Sequence, residues 1–235
     1  MLLLAFETSA KAGSVALMQE GKLLAESYQN TGLTHSQTIM SMAQDMLNSC
    51  GFTPQQVDAV AVAAGPGSFT GVRIGVAAAK GFAWGNQIPC YGVSTLEAMA
   101  LQLGVYQGLV VGVMDARRNQ VYNAVFEAQE GSLRRLSEDR AISLEDLGAE
   151  LKTYEKPIFL VGDGSVLCYN TLKDQVPGLI LPPEHKMHQR ASGVALAAME
   201  QIRQGIDGNA AALEPNYLRL SQAERERLEK QNKEK

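Results

Sequence analysis

Cysteine is scarce: Cys50, Cys90 and Cys168 are the only three in 235 residues, and they stand far apart. No two of them have metal-ligand or redox spacing, and the odd count argues against a disulfide framework. A reducing cytoplasm is the expected compartment. Excess positive charge is also lacking. Against 21 basic residues stand 25 acidic ones, a net charge of −4, and no basic patch stands out. Strong direct nucleic-acid binding by this chain alone is therefore not expected. Long apolar runs are missing as well. The apolar N-terminus, Leu2 to Phe6, is interrupted at Glu7. It is too short for a membrane span or a secretory leader, so neither is expected. What remains is an ordinary globular composition, 46% hydrophobic and 20% charged. The length suits one large or two small domains.

The most informative stretch runs from Gly65 to Gly75. It follows the Val/Ala run from Val57 to Ala64, which has the pattern of a strand buried on both faces. Gly65 and Gly67 flank Pro66 in a tight turn, and Ser68 or Thr70 can cap the helix that follows. Free N–H groups at such a helix start can bind an anion. The standard phosphate fingerprints fail, however. The dinucleotide pattern needs glycine where Thr70 stands, and the Walker pattern needs Gly-Lys-Ser/Thr where Gly71-Val72-Arg73 stands. Two readings stay open: a nucleotide-contacting loop, or a turn that lets the helix pack closely on its sheet.

That helix is predicted to run through Trp84. At about 100° per residue, Gly71, Gly75, Ala78, Ala79 and Phe82 share a face of mostly small residues. Arg73, Lys80 and Trp84 lie roughly opposite, among Val76 and Ala77. A helix apolar nearly all round is buried, either by its own core or by another subunit. An earlier helix, predicted from about Ser36 to Cys50, has an apolar arc wider than a surface helix needs, with Ile39, Met40, Met42 and Met46 along it. Methionine makes adaptable contact surfaces, so core and partner readings both stand.

In chain order, Leu2–Glu7, Ser14–Met18 and Leu23–Tyr28 read as a meander of three strands. The second half repeats the first. An apolar strand from Leu109 ends at Asp115 as the first ends at Glu7. Strands at Val121–Ala128 and Leu133–Leu136, a helix at Leu144–Tyr154 and a buried strand at Pro157–Val161 follow. That strand ends in Gly162-Asp163-Gly164, matching Gly65-Pro66-Gly67. The order predicts an α/β fold of two duplicated lobes, each with a mixed sheet and flanking helices. The lobes are placed at residues 1–106 and 107–220, with a helix at Ala191–Gln204 closing the second. A charged tail occupies 221–235.

Duplicated lobes with an acid at the end of each first strand resemble the actin, Hsp70 and sugar-kinase superfamily. Four motifs narrow the resemblance: Ala64–Arg73, Gly92-Val93-Ser94-Thr95-Leu96, Asp115-Ala116-Arg117-Arg118 and Pro215-Asn216-Tyr217-Leu218-Arg219. Together they are similar to the TsaB (YeaZ) family. The resemblance implies a non-catalytic subunit of the machinery that places threonylcarbamoyl on adenosine 37 of tRNAs. It implies TsaD, the catalytic relative, and the ATPase TsaE as partners. It further implies a homodimer when the chain is alone, and tRNA reached only through the complex. ATP or ADP at a complex interface is the one cofactor it allows.

The same resemblance gives the expected sites. The partner interface falls on the two helices, at His35, Ile39, Met42, Met46, Arg73, Val76, Lys80 and Trp84. Nucleotide contact, if retained, falls on Glu7, Gly65, Gly67, Ser68, Asp115 and Arg117. No catalytic residue and no metal site is expected. Where the TsaD branch carries a His-x-x-x-His metal pair, this chain has Thr95 and Met99, and neither replaces an imidazole. His185 and His188 form a pair without a clear third ligand. The rival classes are an ATP-using small-molecule kinase and a glycoprotease-like hydrolase. The first would need intact phosphate loops, the second a nucleophile–base pair or the metal pair.

Overall fold

The computed structural model describes residues 1–104 and 107–219; residues 105–106 and 220–235, the charged tail among them, lie outside the described residues. Five strands form the first sheet: β1 (Leu2–Glu7), β2 (Gly13–Gln19), β3 (Lys22–Gln29), β4 (Ala59–Gly65) and β5 (Cys90–Ser94). Their spatial order is β3-β2-β1-β4-β5, with β1 antiparallel to β2 and parallel to β4. The second sheet contains β6 (Gln107–Asp115), β7 (Gln120–Gln129), β8 (Ser132–Arg135), β9 (Arg140–Ser143), β10 (Ile158–Val161) and β11 (Leu179–Ile180). Its path is β8-β7-β6-β10-β11, with β9 also on β7, and β6 is antiparallel to β7 and parallel to β10. The two sheets thus share one topology, as the repeated motif order predicted.

The helices are α1 (His35–Ser49), α2 (Phe69–Asn86), α3 (Thr95–Leu103), α4 (Leu144–Leu151), α5 (Ser165–Leu172), α6 (Glu184–Met187) and α7 (Ala191–Arg203). Ser68, Ser94 and Ser143 each accept a backbone N–H from three residues on and so cap α2, α3 and α4. None of the described helices is long and apolar enough to cross a membrane. Helix α5 and strand β9 were not foreseen; both are short, and short segments carry weak periodicity.

Strand alternation sorts the core into layers. On β1 and β4, Leu2, Leu4, Phe6, Val60 and Val62 face α1 and α2. Leu3, Ala5, Ala59, Ala61 and Ala63 face the other way, against α7. In the second sheet, Leu109, Val111 and Val113 face α4 and α5, while Val110 and Met114 face α3.

This corrects one expectation. Helix α7 does not close the second lobe; it packs on β1, β2 and β4 of the first, while α3 packs on β6 and β7 of the second. The two helices cross between the sheets. Gly193 permits the crossing, because a Cβ there would lie 2.2 Å from the Ala98 carbonyl oxygen. The small residues along α7 match the alanine-lined face of β4, so helix and sheet approach closely.

Candidate functional site

The turns after β1, β4, β6 and β10 line a cleft of about 540 Å³. Ser9 and Lys11 come from the first turn, Gly67 and Ser68 from the second, Asp115 and Arg117 from the third, and Asp163 from the fourth. Strands that are parallel within each sheet deliver these turns to one side. That is where open α/β sheets place ligand sites.

Four of the six residues expected at a nucleotide site are therefore together: Gly67, Ser68, Asp115 and Arg117. The other two are not at the surface of the cleft. Glu7 is fully buried. Its Oε1 accepts the Ser9 backbone N–H at 2.6 Å, while Oε2 has no partner among the described residues. Burial pushes its carboxyl up to about 7, with a smaller contribution from the nearby Asp163 charge. Gly65 takes a left-handed φ of 119°, and a Cβ there would lie 2.5 Å from the Asn216 carbonyl oxygen. It serves a backbone contact instead of facing open space. Gly162, its counterpart after β10, has φ 117°.

Asp115 is exposed, and its Oδ1 accepts the Arg117 N–H at 2.7 Å. Arg117, Arg118 and Asn119 all have positive φ, between 57° and 62°, which makes the β6–β7 connection a tight left-handed turn. Asp163 was read from sequence only as part of a glycine turn, yet it lines the cleft beside Asp115. Desolvation raises its carboxyl, opposed by the hydrogen bond from Gln189. The repeat itself held the signal, since Gly162-Asp163-Gly164 occupies the place of Gly65-Pro66-Gly67, whose Pro66 and Gly67 line the cleft. Asn216 to Arg219 also reach the cleft, from the motif Pro215–Arg219.

The expected interface residues divide sharply. Ile39, Met42, Met46 and Val76 are core residues; Met42 and Met46 are each only 6% exposed. As an exposed apolar surface this half of the expectation is corrected. The wide arc of α1 is filled by contacts to β2, β3 and α2 together, not by one sheet alone. His35 is half-buried, with its Nε2 2.8 Å from the Ala10 carbonyl oxygen. Lys80 donates to the Leu213 carbonyl at 2.9 Å. Arg73 and Trp84 face solvent, and Trp84 is 84% exposed. Ala77, Gly81 and Gly85 lie exposed beside them, and nothing stands within 4 Å of a Cβ placed on either glycine. Along Ala77, Gly81 and Gly85 the solvent face of α2 is thus a nearly bare helix backbone, with Arg73 toward one end and the Trp84 indole toward the other.

The opposite face is as small as predicted, for a specific reason. A Cβ on Gly71 would lie 2.1 Å from the Thr8 carbonyl oxygen, and one on Gly75 would lie 2.3 Å from Thr8 Oγ1. Thr8 Oγ1 in turn donates to the Gly71 carbonyl at 2.8 Å. The glycines bring α2 against the turn that follows β1.

Duplicated mixed sheets, the helices α3 and α7 packed together between them and a cleft at the ends of the inner strands define an actin-like two-lobed α/β protein. An ethanolamine utilization protein, EutJ of Carboxydothermus hydrogenoformans, shares this fold at TM-score 0.51 and 13% identity, over 84% of this chain and 90% of that one. The family profile described as TsaD, tRNA N6-adenosine threonylcarbamoyltransferase, matches residues 28–227. The chain is 34% identical to the tRNA threonylcarbamoyladenosine biosynthesis protein TsaB of Bacillus subtilis, over 98% of this chain and all of that one. A Pseudomonas aeruginosa crystal structure described as similar to peptidase YeaZ superposes at TM-score 0.81 and 30% identity, covering 93% and 99%. The chain belongs to the TsaB family.

Proposed function

We propose that this chain is a non-catalytic subunit that binds and supports a TsaD-type threonylcarbamoyltransferase in the modification of tRNA adenosine 37. End-to-end similarity to TsaB carries the reading. The chemistry of α3 supports it. Thr95 and Met99 are both buried, and Met99 packs with Leu96, Val110, Met114 and Phe126 between the lobes. The Met99 thioether serves packing and Thr95 offers a hydroxyl, where a pair of imidazoles would serve a metal. The burial of Glu7 supports it too. Glu7 folds back on its own turn and is shielded from any ligand in the cleft.

In this proposal the partner docks on the solvent face of α2, around Arg73, Ala77, Gly81 and Trp84, and two copies of the chain pair there when the partner is absent. TsaE joins the same assembly, and the assembly works in the cytoplasm. The test is reconstitution with purified TsaD, TsaE and unmodified tRNA. Modified adenosine should appear only when this chain is present, and this chain alone should neither modify tRNA nor turn over ATP. Steady-state ATP turnover by the isolated chain, lost in Asp115→Asn, would support the kinase reading instead.

A further inference from the structure

The segment after α7 follows a path that its packing on the first lobe does not require. It turns at Asn209, whose Oδ1 accepts the N–H groups of Ala211 and Ala212 at 2.9 and 3.1 Å. Lys80 of α2 then holds it by the carbonyls of Ala211 and Leu213, at 3.3 and 2.9 Å. Leu213 enters the gap above Gly92, where a Cβ would lie 2.3 Å from its methyl carbon. From there the chain moves along α2 toward the helix start and arrives at the cleft.

At the cleft it makes three successive attachments. The Asn216 N–H donates to the Ala64 carbonyl at the end of β4, at 2.6 Å. The Tyr217 ring stacks on Phe69 with centroids 4.5 Å apart, and its hydroxyl accepts from Arg73 Nε at 2.7 Å. The Arg73 guanidinium lies 4.0 Å from the Phe69 ring centre, which completes a layered contact. Arg219 then crosses to the other lobe and donates to the Ala116 carbonyl in the turn after β6. Pro215 precedes these contacts and restricts the segment before it binds. Three neighbouring residues thus hold β4, α2 and the β6–β7 turn.

The lobes also meet beneath the cleft through α3. Leu96 and Met99 meet Val110, Met114 and Phe126 there, together with Ala10. The α6–α7 connection links the lobes a second time: the Met187 carbonyl and the Gln189 side-chain amide bond to Gly162 and Asp163, while Arg190 and Ala191 bond to Glu26 and Ser14. A two-lobed fold joined on one side of a cleft can hinge about that side. A segment tied to both lobes at the cleft itself opposes that motion.

From these contacts we infer that residues 215–219 are an interlobe strap, fastening the two lobes across the cleft mouth and holding the cleft to one width. Arg219 is its only side chain bonded to the second lobe among the described residues, so releasing it frees the lobes while leaving the first-lobe anchors in place. The inference does not depend on where a partner docks.

The experiment uses the full chain with Cys50→Ser and spin labels at Gln44→Cys on α1 and Asn170→Cys on α5, both exposed positions on helices of opposite lobes. Electron–electron dipolar spectroscopy should give one narrow label distance. Arg219→Ala should shift or broaden it by more than about 2 Å, the scale of a domain rearrangement. Arg219→Lys, which keeps a donor, should restore most of the narrow distribution. Tyr217→Ala should release the segment from the first lobe and produce the same broadening. Arg219→Ala that leaves the distance unchanged overturns the strap, whatever Tyr217→Ala does. A melting temperature equal to wild type for Arg219→Ala confirms that the distance reports lobe position, not unfolding. If Arg219→Ala broadens the distance only together with a loss of helical signal, the residue is a folding element and the strap is likewise overturned.

Discussion

Glu7 and Asp115 hold the same hydrogen bond in the two lobes: each accepts the backbone N–H two residues on, from Ser9 at 2.6 Å and from Arg117 at 2.7 Å. The bond tightens the turn after the first strand of each repeat. Their surroundings differ. Asp115 opens to the cleft, whereas Glu7 is sealed in the protein, with one oxygen unpaired among the described residues.

That burial sets a pH dependence. The Glu7 carboxyl moves from its ordinary 4.5 up to about 7. Between those values the folded chain keeps a proton that the unfolded chain has released. The stabilisation from the protonated form is complete below about pH 4.5 and is lost as pH rises to about 7. Glu7→Gln should flatten this slope and stabilise the fold at pH 8, by about 3 kcal/mol at most. Urea denaturation at pH 5 and pH 8 measures it. A variant with the same difference between the two pH values as wild type would place the titration on another group.

The two faces of α2 should respond oppositely to one added methyl group. Gly71→Ala forces a Cβ into the Thr8 backbone and should destabilise by about 1–3 kcal/mol or more. Gly81→Ala meets nothing within 4 Å and should stabilise by up to about 1 kcal/mol through helix propensity. Thermal melts of the two variants, compared with wild type, check both signs.

Helix α2 also shows where sequence reasoning reached and where it stopped. Its small face was legible because glycine and alanine at helical spacing have one common use, close approach. The two lobes were legible because the order of motifs repeats. The fate of the α1 methionines was not. A wide apolar arc states that a surface is covered, but β2, β3 and α2 cover Met42 and Met46 within this chain. The crossing of α7 was hidden for a related reason, since an alanine-rich helix fits either lobe. Asp163 was obscured by its two glycines, which read as a turn whether or not an acid between them faces a cleft.

The α1 helix gives a stability prediction in place of the surface it was expected to present. Met42→Glu puts an unpaired carboxylate among Ile39, Met46 and Leu47 in the core beneath α1. Such burial costs several kcal/mol, of the order of the whole stability of many domains. The variant should be largely unfolded at neutral pH by circular dichroism. A folded Met42→Glu chain would mean that α1 can shift outward. Met40→Glu, at an exposed position on the same helix, should melt within about 0.5 kcal/mol of wild type.

The proposed docking face is now α2 alone, and Trp84 is its sharpest test. An indole 84% exposed contributes little to the isolated fold, so Trp84→Glu should melt within about 0.5 kcal/mol of wild type. Tryptophan is among the residues that most often dominate binding when a partner covers them. Ala77, Gly81 and Gly85 add no side chain that would keep another helix away, so a partner helix can approach the backbone beside the indole. In the proposed assembly the introduced carboxylate would be desolvated where the indole now projects. Its effect should be at least about thirtyfold on affinity for TsaD by calorimetry, corresponding to about 2 kcal/mol. Sedimentation of the chain alone should show the same variant shifted from dimer to monomer. Because Trp84→Glu leaves the core intact and Met42→Glu does not, the pair separates a lost interface from a lost fold. Wild-type affinity in a folded Trp84→Glu chain would move the interface off α2.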